Sequence, residues 1–264
     1  MTAPSLTPSD IVVVAAVNDD ACLRRNLAAS PAIAEGGVAL HVETGAPSAA
    51  VAYNRGLDAT DAALVVFAHQ DVYLPRGWER RLLEAVTALE ARDPDWALLG
   101  PFGMSEQGEH MGRVWTTSLG QVVGAPSPEP TPVQSYDELL FVMRRDAGLR
   151  FDETLPGWHM YGTDIVQTAL AAGRGAWVMD LPCVHNDGFH DMLRADFSRA
   201  YHFVRRKWRA RLPFRTPVLW VSRHGLHMPL QQLRMYRSMA GRRARALDPD
   251  APPQVYARRC GWED

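Results

Sequence analysis

An α/β fold, with a mixed, mostly parallel sheet flanked by helices, follows from three features of the sequence. Apolar runs of strand length recur at Ile11–Val17, Val38–Val42 and Ala63–Ala68, each short enough and apolar enough for a strand buried on both faces. Helical stretches separate them, which implies parallel strands joined by right-handed crossovers. The central run then breaks abruptly into His69-Gln70-Asp71, as expected where strand ends open into a ligand crevice. A chain of 264 residues with 47% hydrophobic composition sustains one sizeable core, or a core with a small annex.

In order, Ile11–Val17 is the first strand, and Asn18-Asp19-Asp20 forms a helix N-cap cluster for a segment reaching about Ser30. Val38–Val42 is the second strand, ending at Glu43, and Ala49–Ala59 is a helix carrying Asn54 and Gly56. After the central strand, Trp78, Leu82, Leu83, Val86 and Leu89 mark an amphipathic helix. Trp96–Gly100 is a further strand, Val114–Gly124 adds antiparallel strands, and four prolines make Ala125–Gln134 an extended loop. Leu139–Met143 is the next strand. Phe151–Gly162 is irregular, Thr163-Asp164 starts the helix Ile165–Ala172, and Ala176–Met179 is a last short strand. From Asp191 the chain is helical and basic, broken around Pro213, Pro217 and Pro229.

The net charge of −2 gives no global signal for nucleic acid or membrane, but its distribution is uneven. Arg194 to Arg245 holds fourteen Arg or Lys residues against the single carboxylate of Asp196. Within it, Arg205–Arg211 (RRKWRAR) is either a solvated face or dimer contact, or a contact for an acidic carrier, a phosphorylated acceptor or a peripheral membrane surface. Cys22, Cys183 and Cys260 are far apart and form no CxxC pair, which favours a reducing compartment. The opening MTAPSLTPSD has neither the basic region nor the apolar core of a leader, and no run approaches the roughly 20 apolar residues of a spanning helix. A cytoplasmic chain is expected.

The stretch Ala63–Trp78 carries the chemistry. An imidazole and a carboxylate two residues apart, His69 and Asp71, suit a divalent cation at the mouth of the sheet, and that cation suits a diphosphate. Asp71 either takes this role or caps the turn that follows.

VVVAAVND, AxNxG at Ala52–Gly56, VVFAHQDVYLPRGW, ELLFVMRRD, RFDE, GWHMYGTD and LPCVHND occur in one order between Ile11 and Phe189. That series resembles GT-A (Rossmann-like) glycosyltransferases of the family-2 type, most closely their StrF-like branch. The resemblance implies a domain over residues 1–190, with a nucleotide-binding half at 11–100 and an acceptor half at 101–190. Residues 191–264 form a helical basic C-terminal extension packed on it. It also implies a nucleoside-diphosphate sugar as donor, a hydroxyl acceptor, inversion at the transferred carbon, and a divalent cation, Mn²⁺ or Mg²⁺.

The resemblance further assigns site residues. Asp71 matches the last carboxylate of the family's DxD motif and His185 a third metal ligand, with His190 competing for that place. Asp164 matches the carboxylate that takes the acceptor's proton, or else it stabilises a helix start. Ala15, Ala16 and Asn18 line the first strand's loop, Glu43 meets the base edge, and Asn54 either supports the diphosphate or packs its helix. His69 stands where an Asp contacts the ribose, and so is either a ribose contact, a metal ligand or a crevice-lining histidine. Val17 stands where an aromatic stacks on the base. Glu138, Trp158, His159 and Tyr161 are acceptor-side residues, or parts of a packed lid.

Two other readings use the same residues. One is a non-catalytic protein that binds sugar nucleotides in the same crevice. The other is a non-haem iron enzyme with His69, Asp71 and His185 as its two-histidine, one-carboxylate set; such sites sit on all-β double-sheet barrels, which the alternating β/α start argues against.

Overall fold

The computed structural model describes residues 6–264; residues 1–5, part of the stretch read above as lacking a leader, lie outside the described residues. In chain order the elements are β1 (Ile11–Val17), α1 (Asp20–Arg25), α2 (Pro31–Ala34), β2 (Ala39–Thr44), α3 (Ala49–Asp58), β3 (Leu64–His69), β4 (Val72–Tyr73) and α4 (Trp78–Arg92). The middle of the chain forms β5 (Trp96–Gly100), β6 (Gly103–Ser105), β7 (His110–Met111), β8 (Val114–Thr116), β9 (Gln121–Val123), β10 (Thr131–Tyr136) and β11 (Leu140–Arg144). There follow α5 (Tyr161–Ala171), β12 (Gly175–Val178), β13 (Cys183–His185), α6 (Ala195–Lys207), β14 (Phe214–Arg215), β15 (Trp220–Val221), α7 (His227–Arg245) and α8 (Pro253–Arg259).

Among the described residues the main sheet has nine strands in the order β2-β1-β3-β11-β5-β12-β10-β6-β7. Following the pairings across it, six strands run one way and β11, β10 and β7 run the other. This is the mixed α/β architecture the alternating runs predict. A smaller sheet, β4-β13-β8-β9, stands beside the ends of β3.

The apolar runs show no polar alternation because both faces of the sheet are covered. Val12, Val14, Val65 and Phe67 face one core, with Tyr53 and Leu57 of α3 and Ile165 and Val166 of α5. Ile11, Val13, Leu64 and Val66 face the other, with Trp78, Leu82, Val86 and Leu89 of α4. α3 lies close on β1: a Cβ at Gly56 would fall 2.3 Å from Val14 Cγ1, so this packing admits only glycine there. Phe197, Tyr201 and Val204 of α6, with Leu212, Phe214 and Met228, share the α3-side core, so the first part of the basic extension is built into the body.

Four local expectations are corrected. The segment after Asp19 is not one helix to Ser30. Asp19 caps α1 by accepting from Cys22 N, and the chain then turns into α2. The proline-rich loop gives way at Thr131 to β10, where Pro132 opposes Trp177 next to a register shift that tolerates it. Helix α5 begins at Tyr161, two residues before Thr163. Pro229 does not break the last helix: it lies in the first turn of α7, where its missing N–H has no intrahelical partner to lose.

Candidate metal centre and its cavity

Three chain segments converge where β3 ends. His69 is the last residue of β3, Asp71 follows in the turn to β4, and His185 ends β13, which pairs with β4 in the register His185 against Val72. Asn186 N donates to Asp71 O at 2.8 Å, locking the two segments together. The result is a cluster in which ligand atoms of His69, Asp71 and His185 all lie within 4.8 Å of one another. Asp71 Oδ1 is 3.4 Å from His185 Nε2 and 3.9 Å from His69 Nδ1.

Asp71 Oδ1 is buried and has no hydrogen-bond partner among the described residues. A buried carboxylate oxygen left this way carries a desolvation cost of several kcal/mol unless a positive charge meets it. Burial pushes the Asp71 carboxyl up, but the His185 and His69 imidazoles outweigh that and hold it below the usual carboxylate range. Burial would lower His185, yet the Asp71 and Asp187 carboxylates raise it. Burial lowers His69. One carboxylate and two imidazoles suit a divalent metal of intermediate softness, so the donor set fits a cation.

The tautomer of His69 follows from its partners. Tyr161 Oη donates its one proton to Glu138 O at 2.8 Å, because a carbonyl can only accept. The 2.7 Å contact between His69 Nε2 and Tyr161 Oη therefore has the imidazole as donor. That leaves Nδ1 unprotonated in the neutral ring, with its lone pair on the side of Asp71. Tyr53 Oη, 3.4 Å away, is the third polar group around Tyr161 Oη. Tyr161 is thus buried beneath the site and orients His69. It is 2% exposed and is not among the residues that line the cavity.

The cluster opens into a cavity of about 890 Å³. Glu138, His159 and Asp187 line it near the cluster, and Arg194, Arg234 and Arg242 line it from the basic extension. Burial, and then Asp137, push the Glu138 carboxyl well above its ordinary range. Asp187 accepts from Thr116 Oγ1 at 3.0 Å and from Ser118 N at 3.1 Å. His190 lies 3.7 Å from Asp187 and outside the three-residue cluster.

The other expected residues fall in two groups. Register places Glu43, Ala16 and His69 in one row across β2, β1 and β3, so these three share a face of the sheet. Ala15 is fully buried on the opposite face. Asn18 is tied to the turn before Asp71: Gln70 Oε1 accepts from Asn18 N at 3.0 Å and Gln70 Nε2 donates to Asn18 Oδ1 at 2.7 Å. Trp158 is exposed, and His159 pairs with Asp196 at 3.4 Å.

Asn54 and Asp164 do not join the cavity. The Asn54 amide donates to Phe151 O at 3.0 Å and to Glu153 Oε1 at 2.9 Å and accepts from Phe151 N at 3.0 Å, so both its N–H groups are engaged in pinning the loop before α5. Asp164 is buried, with Oδ2 2.8 Å from Lys207 Nζ and Oδ1 accepting from Trp208 Nε1 at 2.6 Å. Lys207 also reaches Asp152 at 2.8 Å. Burial raises the Asp164 carboxyl against the pull of Lys207 and Trp208. Both oxygens hold the end of α6 to α5, and Asp164 is not among the residues that line the cavity.

Sequence reasoning missed Gln70, Asp187 and the Lys207–Trp208 clasp. Gln70 and Asp187 lie beside residues it had singled out, in HQD and HND. The clasp has no local signal, since its partners are 43 and 44 residues from Asp164.

No family model matches the chain. It is 30% identical over 155 residues to the protein described as ATP synthase subunits region ORF 6 of Fuscovulum blasticum, over 54% of this chain and 60% of that protein's length. Solved structures with a related layout include S. aureus TarS 1-349 in complex with UDP-GlcNAc, at 12% identity and a TM-score of 0.47 over 75% of this chain and 65% of that one. The mannosyltransferase PcManGT from Pyrobaculum calidifontis, in complex with GDP-Man and Mn²⁺, matches at 15% identity and a TM-score of 0.43 over 97% of this chain and 77% of that one. Overlap of this size carries no residue roles to this chain.

Proposed function

We propose that this chain is a cation-dependent glycosyltransferase that moves a sugar from a nucleoside diphosphate to a hydroxyl acceptor with inversion, of the StrF-like kind suggested by its motif order. The observation that carries the reading is the buried Oδ1 of Asp71, which makes no hydrogen bond among the described residues and lies 3.4 and 3.9 Å from two imidazoles at the carboxyl end of β3. Asp71 and His185 would hold the cation, with His69 joining through Nδ1. A bound Mn²⁺ or Mg²⁺ supplies neutralisation of the negative charge that grows on the departing diphosphate.

The chain's own residues do the rest. The row Glu43, Ala16 and His69, with Asn18 braced by Gln70, offers the nucleoside a hydrogen-bonding edge beside the cation site. We assign the acceptor's proton to Glu138, a carboxyl among the residues that line the cavity. Burial and Asp137 favour its neutral form, so it serves as the base only once ionised, and its loss of a proton is part of what this reading requires. We assign His159 and Asp187, which line the same cavity, to the acceptor.

The test offers the full chain a panel of sugar nucleotides with Mn²⁺, with Mg²⁺ and with neither, and reads binding and sugar release. The proposal expects metal-dependent binding of at least one donor and its consumption. Binding without consumption would leave a sugar-nucleotide-binding protein, and indifference to every donor would remove the reading. Iron loading under anaerobic conditions with no donor binding would favour the iron enzyme, whose donor set is the same three residues.

A further inference from the structure

α7 has two faces of different character. One lines the cavity through Gln231, Met235, Ser238 and Arg242, and Gln232 Nε2 donates to Leu193 O at 2.6 Å. The other looks away from the body. Leu226 just before the helix, with Leu230, Leu233 and Tyr236 in it, is 63% exposed; the other three are 48%, 46% and 67% exposed. Spacings of four and three residues put the leucines on one stripe, which Arg237, Ala240 and Ala244 continue. Arg245 flanks that stripe on one side and Tyr236 on the other, while Arg234 and Arg242 line the cavity and Arg243 lies over the Phe189 ring at 5.8 Å. The helix holds five arginines and no carboxylate. Among the described residues no helix is long and apolar enough to cross a membrane.

Water is a poor partner for a leucine stripe of this length, and a second copy is no better. Two-fold pairing sets the patch against its own image, which brings arginine to arginine. A surface of anionic lipid answers both features at once. Its acyl boundary takes the leucines, and its head groups take the guanidinium groups of Arg237 and Arg245.

We propose that the outer face of α7 docks on an anionic membrane surface. The proposal rests on the transfer reading for its purpose: the same helix walls the cavity, so docking holds the cavity at head-group level. The surface itself is independent of that chemistry.

Co-sedimentation of the full chain with vesicles tests it, using equal parts phosphatidylglycerol and phosphatidylcholine against phosphatidylcholine alone. The wild type is expected to bind the former, less so as salt rises. Leu230→Glu with Leu233→Glu should abolish binding. Arg237→Gln with Arg245→Gln should weaken it roughly 30-fold at low salt, at about 1 kcal/mol per arginine. Both variants should keep wild-type affinity for a nucleoside diphosphate with Mn²⁺. A wild type that stays in the supernatant overturns the proposal, as does a leucine variant whose sole change is from dimer to monomer. Vesicle binding through these residues by a chain that ignores every nucleoside diphosphate keeps the membrane face and removes the transfer reading; donor binding without vesicle binding does the reverse.

Discussion

Asp71 Oδ1 lies 3.4 Å from His185 Nε2, although 114 residues separate the two in sequence. The contact exists because β4 and β13 pair in a small sheet that stands against the end of β3. It turns one carboxylate after a strand into a three-residue site with His69. Replacing Asp71 with Asn should therefore abolish cation-dependent donor binding and lower turnover by about 100-fold or more. The cation-free fold should also lose stability at neutral pH, because the amide cannot pair with the protonated His185. Donor calorimetry and thermal unfolding of Asp71→Asn check the two halves separately.

Tyr161 acts through His69. Tyr161→Phe removes the acceptor that fixes the imidazole's tautomer while keeping the buried ring. Cation affinity should fall roughly 10- to 100-fold, the usual cost of losing a residue that orients a ligand. The apparent KM for metal should rise more than kcat falls. A purely structural tyrosine would instead lower thermal stability and leave the metal dependence unchanged.

Cation binding should strengthen as pH rises. Burial favours a neutral His185, but Asp71 and Asp187 outweigh it and keep the imidazole protonated in the cation-free protein. With its proton affinity raised on folding, His185 contributes stability that is complete below the ordinary imidazole range and is lost as pH climbs through its raised value. Asp71, depressed, contributes stability above the ordinary carboxylate range that is lost as pH falls through its lowered value. The pair is thus intact across neutral pH, and a cation must displace the His185 proton to use Nε2. Calorimetry in buffers of different ionisation heat should show proton release on Mn²⁺ binding, and affinity should climb toward alkaline pH. A pH-independent affinity with no proton release would contradict this.

Asp164 and Glu138 should part company on mutation. Asp164→Asn weakens the clasp of Lys207 and Trp208 and should cost about 1–3 kcal/mol of stability, with modest loss of turnover. Glu138→Gln should keep donor binding and the fold while abolishing sugar transfer. Unfolding curves and transfer assays on both variants decide the assignment. Inactive, fully stable Asp164→Asn would restore Asp164 as the base.

The sheet was legible because each apolar run had to satisfy two faces at once, and Ile11–Val17 and Ala63–Ala68 lack any polar alternation for that reason. His69, Asp71 and His185 were legible because polar residues follow each run at once. What escaped depended on partners remote in sequence. Asp164 looks the same in sequence whether it faces a substrate or Lys207, and Tyr161 the same whether it faces a sugar or an imidazole. The leucines of α7 carried no warning either, since a stripe at helical spacing ordinarily means burial, and here it is exposed.

The cation site is most directly tested by titrating Mn²⁺ into the full chain and following the free ion by electron paramagnetic resonance. The account predicts a single bound Mn²⁺ in the wild type, held more tightly when a nucleoside diphosphate is present, and none in Asp71→Asn. A wild type that binds no Mn²⁺ with or without the nucleotide, or an Asp71→Asn variant that binds it equally well, would contradict the account.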